Sequence, residues 1–222
     1  MQKLIDFQEK TLHIGTVFRL PGVSYPYEYI VDFMLIDLDG ELQLCVSSGY
    51  KTGAVRQVLP KEAYAEQQYA ISTKWMIENW NKWIYLECKA EEVFILPQGY
   101  KIPSLIQKPN IPKYQRKKNL LKYNDKIMFY GKIFRFPAKE PYEEIVDFML
   151  LDNIYTMELL VLSGKHCGKI VFVFPKQAEF KGKFCGIKTN WVIKNWRKIY
   201  PDCAARDVFI LRKNYIEQTL PS

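Results

Sequence analysis

The sequence predicts an α+β fold built twice: two tandem homologous domains, each a mainly antiparallel sheet of about five strands with one principal helix packed on it. Three observations carry that expectation. A long internal repeat spans the chain, each copy opens with runs of alternating or β-branched apolar residues, and each closes with one stretch of helical periodicity. A shift of 115 or 116 positions brings Gly15–Pro21 (GTVFRLP) onto Gly131–Pro137 (GKIFRFP), and Pro26–Leu35 (PYEYIVDFML) onto Pro141–Leu150 (PYEEIVDFML). Val46–Gly53 then meets Val161–Gly168, Leu59–Ala63 meets Phe174–Ala178, and Ile71–Trp80 (ISTKWMIENW) meets Ile187–Trp196 (IKTNWVIKNW). Ile84–Cys88 (IYLEC) meets Ile199–Cys203 (IYPDC), and Glu92–Leu96 meets Asp207–Leu211.

Within the first copy, KTLHIGTVFRLP and YEYIVDFMLIDL are rich in β-branched and aromatic residues and read as strands. ELQLCVSS alternates apolar with polar, and the Asp39-Gly40 pair before it is a hairpin signal. SGYKTG supplies the next reversal, and TGAVRQVLP, with its partner GKIVFVFP, a further short strand. STKWMIENWNKWI is the helix, with Ser72 or Thr73 placed to cap it and Met76, Trp80, Trp83 and Ile84 on one face. EEVFIL closes the copy as a strand.

These limits predict a first domain over 1–100, a linker over 101–118 and a second domain over 119–216. The linker holds three prolines and six basic residues with no acidic one, a composition that favours extension. By this division a fragment ending after about residue 105 would fold alone.

The chain of 222 residues carries a net charge of +8, which by itself suggests an anionic partner. The charge is unevenly spread: residues 1–100 sum to −4, residues 101–118 to +6 and residues 119–222 to +6. No single basic face is implied. The N-terminal residues have no secretory pattern, and no apolar run approaches the roughly 18 residues a bilayer span needs. Five cysteines in such a chain predict reduced thiols and a cytosolic location.

Catalytic and metal-binding constellations do not emerge. Asp32 and Asp147 lie inside apolar strands, with Arg19 and Arg135 at the end of the preceding strand, and the expected role is a cross-strand ion pair in each copy. An active-site reading of Asp32 as a general base needs a second catalytic group, and none recurs beside it. His13 aligns with Phe129, which marks it as a strand residue on a packed or half-packed face, and His166 aligns with Lys51 in a turn. His166, Cys167 and Cys185 lack the close-set ligand pairs zinc favours. GYKTGAV departs from a phosphate-binding loop at the decisive Lys-Ser/Thr. No cofactor is expected. Four of the five tryptophans recur at helical spacing and read as core, while Trp83 has no counterpart and is the one expected at the surface.

The phrases TVFRLP, PYEYIVDFMLIDL, SGYKTG, LPKEA and STKWMIENWNKWIY resemble a bacterial immunity-protein family of polymorphic toxin and contact-dependent competition systems. The resemblance runs almost the length of each copy. It implies a small cytosolic protein that neutralises a cognate toxin domain by tight binding, without catalysis. It carries over no contact residues.

Charge suggests where a toxin would dock, because complementary charge speeds encounter and rejects wrong partners. Against a basic toxin the acidic first copy is the better face, with Glu28, Asp37, Asp39 and Glu41 near the hairpin, Tyr25, Tyr27, Tyr29 and Tyr50 as aromatic anchors, and Trp83 beside them as the exposed tryptophan. The second copy would face another partner, pack on the first as a pseudo-symmetric mate, or serve as scaffold. Two other readings remain. A tandem nucleic-acid-binding module would use the basic linker and second copy, and a small hydrolase or transferase would use the carboxylates.

Overall fold

The structure, a computed structural model, describes residues 1–22, 30–49, 51–67, 69–100, 117–153, 155–180, 182 and 185–211. The first copy contains β1 (Gln2–Lys3), β2 (Thr11–His13), β3 (Val17–Pro21), β4 (Ile30–Leu38), β5 (Glu41–Ser48), β6 (Val55–Val58), β7 (Ala70–Ser72), α1 (Thr73–Asn79) and β8 (Phe94–Leu96). Its main sheet runs β1-β8-β3-β4-β5-β6 with antiparallel neighbours, and β2 pairs with β7 apart from it.

The second copy repeats this with β9 (Lys117–Asn119), β10 (Ile127–Phe129), β11 (Ile133–Pro137), β12 (Ile145–Asn153), β13 (Thr156–Val161), β14 (Ile170–Val173), β15 (Glu179–Phe180), β16 (Gly186–Lys188), α2 (Thr189–Ile199) and β17 (Phe209–Leu211). The order β14-β13-β12-β11-β17-β9 mirrors the first sheet, and β10-β16-β15 forms the small ribbon.

The α+β architecture thus holds in both copies, with six strands in each main sheet rather than about five. KTLHIGTVFRLP is two strands because Gly15, at φ +86°, turns the chain between sheets while its N–H bonds Leu35 O at 2.7 Å. Strand β9 begins at Lys117, two residues inside the stretch expected to be linker. At the β4–β5 hairpin, Asp39 (φ +54°) and Gly40 (φ +82°) both take the left-handed region that a two-residue turn requires.

Each helix covers one face of its sheet. Val31, Phe33 and Leu35 of β4 pack with Phe18, Met76 and Trp80, and in the second copy Phe134, Phe148 and Leu150 pack with Val192 and Trp196. Phe18 and Trp80 lie 5.5 Å apart by ring centroid, and Phe134 and Trp196 lie 5.6 Å apart.

The opposite faces of the two sheets meet each other. Val17, Met34, Ile36, Leu38, Cys45 and Tyr100 of the first copy form one buried cluster with Ile133, Met149, Leu151, Leu160, Leu162 and Cys167 of the second. Among the described residues the layers run helix, sheet, sheet, helix, around three cores. The middle core belongs to neither copy alone, so a first copy by itself would leave its half of that core uncovered.

The packing is pseudo-twofold. Asp152 N–H donates to Gly53 O at 2.7 Å, and the equivalent Asp37 N–H approaches Gly168 O at 3.4 Å. At these two crossings a Cβ on Gly53 would overlap the Gly131 backbone, and one on Gly168 would overlap the Gly15 backbone. Glycine is needed there for closeness as well as for φ. Gly40, by contrast, has open space around it. Gly40→Ala is expected to cost about 1 kcal/mol, the strain of a left-handed φ alone, and Gly53→Ala clearly more. Equal shifts in denaturant midpoint for the two variants would contradict this close approach.

Candidate functional site

The buried polar groups come first. Arg19 stands directly across from Asp32 in the β3–β4 ladder, and its Nε and Nη2 both donate to the carboxylate at 2.9 Å. Tyr100 Oη donates to Asp32 Oδ2 at 2.8 Å and lies 2.8 Å from Ser47 Oγ. Arg135 and Asp147 repeat the fork at 2.9 and 2.7 Å. Arg19 and Asp32 stand two residues along their strands from Val17 and Met34, so the pair lies on the same sheet face, the one that meets the other copy.

Burial pushes the Asp32 carboxyl above the usual carboxylate range, while Arg19 and Tyr100 pull it back. The Arg19 guanidinium, though desolvated, is held in its charged form by Asp32. A saturated, buried pair of this kind sets strand register and has no free face for a substrate.

The cysteines are placed for packing. Cys45 and Cys167 sit in the shared core, and Cys167 Sγ donates to Leu162 O at 3.0 Å. Burial raises the Cys45 and Cys88 thiols to about 12 and the Cys203 thiol to about 11. Cys185 is exposed. A native titration with a thiol-specific chromogenic reagent is expected to count one fast thiol, Cys185, the other four appearing only on unfolding; two or more fast thiols would contradict this placement. Among the described residues no group of three His, Cys, Asp or Glu is arranged to hold a metal.

His13 is exposed, paired across β2–β7 with Ala70, rather than on a packed face, because the small two-stranded ribbon leaves that side open. His166 packs edge-on against the Tyr142 ring, with centroids 5.3 Å apart.

Of the residues expected to meet a partner, Tyr25, Tyr27, Glu28, Tyr29 and Tyr50 lie outside the described residues. Asp39 and Glu41 are exposed at the β4–β5 hairpin, and Asp37 is half-buried with its backbone at the crossing between the copies. In the second copy Glu143, the counterpart of Glu28, accepts from Lys165 N–H at 2.9 Å, so there the position braces a turn.

The copies depart from each other at the helix end. Ser72 Oγ accepts Trp75 N–H at 3.2 Å and starts α1, which gives way after Asn79 to a π-helical turn over Trp80–Ile84. Tyr85 N–H bonds Trp80 O at 3.1 Å, five residues back, where the equivalent Tyr200 N–H bonds Trp196 O at 2.8 Å, four residues back. One inserted residue is absorbed as a wider turn, which keeps Trp80 and Ile84 buried and leaves Trp83 48% exposed. Leu86, just beyond, is 78% exposed. The sequence comparison missed Leu86, although its counterpart, Pro201, already differed.

No helix of the described residues is long and apolar enough to cross a membrane. Neither the curated proteins nor the solved structures contain a match to this chain. A family model described as Immunity protein 45 matches it twice, over residues 4–95 and 120–210, the two spans that form the two sheet-and-helix halves. The chain belongs to the immunity protein 45 family and carries that family's domain in two tandem copies.

Proposed function

We propose that this chain is a cytosolic immunity protein that neutralises a cognate toxin domain by stoichiometric association, without catalysis. The observation that carries the reading is the family match over both copies, since immunity families act in toxin neutralisation. The polar chemistry is compatible with it: the buried Asp32 and Asp147 carboxylates are spent on internal ion pairs.

The acidic first copy is the better face for a basic toxin domain. Asp39 and Glu41 sit at an exposed hairpin, and Asp37, Tyr25, Tyr27, Glu28, Tyr29, Tyr50 and Trp83 are the further candidate contacts. Opposite charge there would accelerate encounter and exclude acidic competitors.

The test is purification of the tagged chain from its native host at moderate salt after nuclease treatment, with mass spectrometry of what remains bound. A single stoichiometric polypeptide whose toxicity the chain suppresses is the expected result. Recovery of nucleic acid alone, lost on nuclease treatment, would overturn the reading in favour of a nucleic-acid-binding role for the basic second copy.

A further inference from the structure

The two copies share a fold, and their one-residue difference at the helix end falls on the surface. In the first copy the π-helical turn presents Trp83, and the following loop presents Leu86. In the second copy α2 runs uninterrupted to Ile199, nothing corresponds to Trp83, and Pro201 replaces Leu86. The inserted tryptophan is held about half in water, while Trp80, Ile84 and Tyr85 behind it are buried.

The charge around the turn also differs in sign. From Glu78 to Glu92 the first copy has Glu78, Glu87, Glu91 and Glu92 against Lys82 and Lys89, a net of −2. The corresponding segment, Lys194 to Asp207, has Lys194, Arg197, Lys198 and Arg206 against Asp202 and Asp207, a net of +2. Within the acidic segment Glu92 is committed to the backbone N–H of Lys89 at 2.8 Å, Glu87 accepts from Tyr85 Oη at 3.3 Å, and Glu78 lies 3.8 Å from Lys74 on an exposed flank. An apolar anchor in a segment of net negative charge fits a protein surface with an apolar pocket and a basic border.

We infer that the π-helical turn of the first copy, with Trp83 and Leu86, is the anchor on which a basic protein partner docks, and that the equivalent end of α2 does not bind it. This rests on the toxin-binding reading and deepens it: the toxin domain is the basic partner, and one chain engages one toxin through its acidic half. Trp83 is the residue that fills a partner pocket, since an exposed tryptophan offers large area at small entropic cost. Leu86 extends the apolar contact, and the glutamates fix orientation and exclude acidic proteins. The wider turn is then a device that displays one residue without altering the buried register of the helix.

The experiment uses the full chain in its native host, with the photo-crosslinking residue benzoylphenylalanine in place of Trp83 or, as the control in the second copy, of Lys198. Illumination is expected to join the chain to the polypeptide that the wild-type protein co-purifies from position 83 and not from position 198. Trp83→Ala is expected to weaken retention of that polypeptide by about 30-fold, the effect of losing a hot-spot side chain. Leu86→Ser should weaken it less, and both variants should keep the wild-type circular dichroism spectrum. Crosslinking from 198 alone, or equally from both, would overturn the inference. So would a co-purifying polypeptide that crosslinks from neither site, and in that case the immunity reading stands. If the wild-type chain retains no polypeptide at all, the immunity reading falls and this inference falls with it.

Discussion

A fragment ending after about residue 105 is expected not to persist as a soluble monomer. Removing the second copy uncovers Val17, Met34, Ile36, Leu38, Cys45 and Tyr100, all buried in the whole chain. At roughly 2 kcal/mol per buried apolar side chain, this face contributes on the order of 10 kcal/mol, comparable with the whole stability of a small domain. The face is also self-complementary, because it already packs against a near-copy of itself about a pseudo-twofold axis. The fragment should therefore dimerise through it or aggregate. Light scattering behind size exclusion reads this directly. A monomeric fragment with a sharp, cooperative unfolding transition would show that the middle core is dispensable.

Arg19→Met should be the most damaging single substitution among the ion-pair residues. It leaves the Asp32 carboxylate buried without the two guanidinium donors, Tyr100 Oη remaining, and breaking such a pair from one side costs about 3–5 kcal/mol. The sign of the pH dependence follows from the direction of the shift. Burial raises the folded-state Asp32 above its unfolded value, and removing Arg19 raises it further. The folded state then binds the proton first, so the deficit is largest at neutral pH and shrinks as pH falls through the raised folded value. Arg19→Met combined with Asp32→Asn should recover much of the loss, because no buried charge is left. Arg135→Met should cost less, since Arg135 is 21% exposed where Arg19 is 6%. A variant within about 1 kcal/mol of wild type would mean that the pair does not hold the β3–β4 register.

Several of these features were legible in the residues. Asp39-Gly40 announced its hairpin because a two-residue turn needs positive φ twice. Ser72 or Thr73 announced the helix start because either oxygen could serve an orphan amide, the structure using Ser72, and Arg19 and Asp32 announced each other because a charge in an apolar strand needs a partner.

What went unread had physical reasons. Strands β1 and β9 are two and three residues long, too short to show a period. The break at Gly15 looked like continuation because both flanking segments are extended. The middle core leaves a mark in the sequence: IVDFMLIDL is apolar at both parities, Val31, Phe33 and Leu35 facing α1 and Met34, Ile36 and Leu38 facing the other copy. A strand covered on one side alternates, and one that does not is covered on both. The docking turn was half legible, since an unmatched Trp83 pointed to the surface. That the insertion would be absorbed as a π-helical turn depends on Tyr85 keeping its bond to Trp80, a matter of tertiary packing.

If the pseudo-symmetric chain acts asymmetrically, it engages one toxin domain, through its acidic copy. Native mass spectrometry of the complex retained by the full chain reads that stoichiometry in a single spectrum. One partner polypeptide per chain, lost in Trp83→Ala, is the predicted result. Two partners per chain, or one whose retention is indifferent to Trp83, would contradict it.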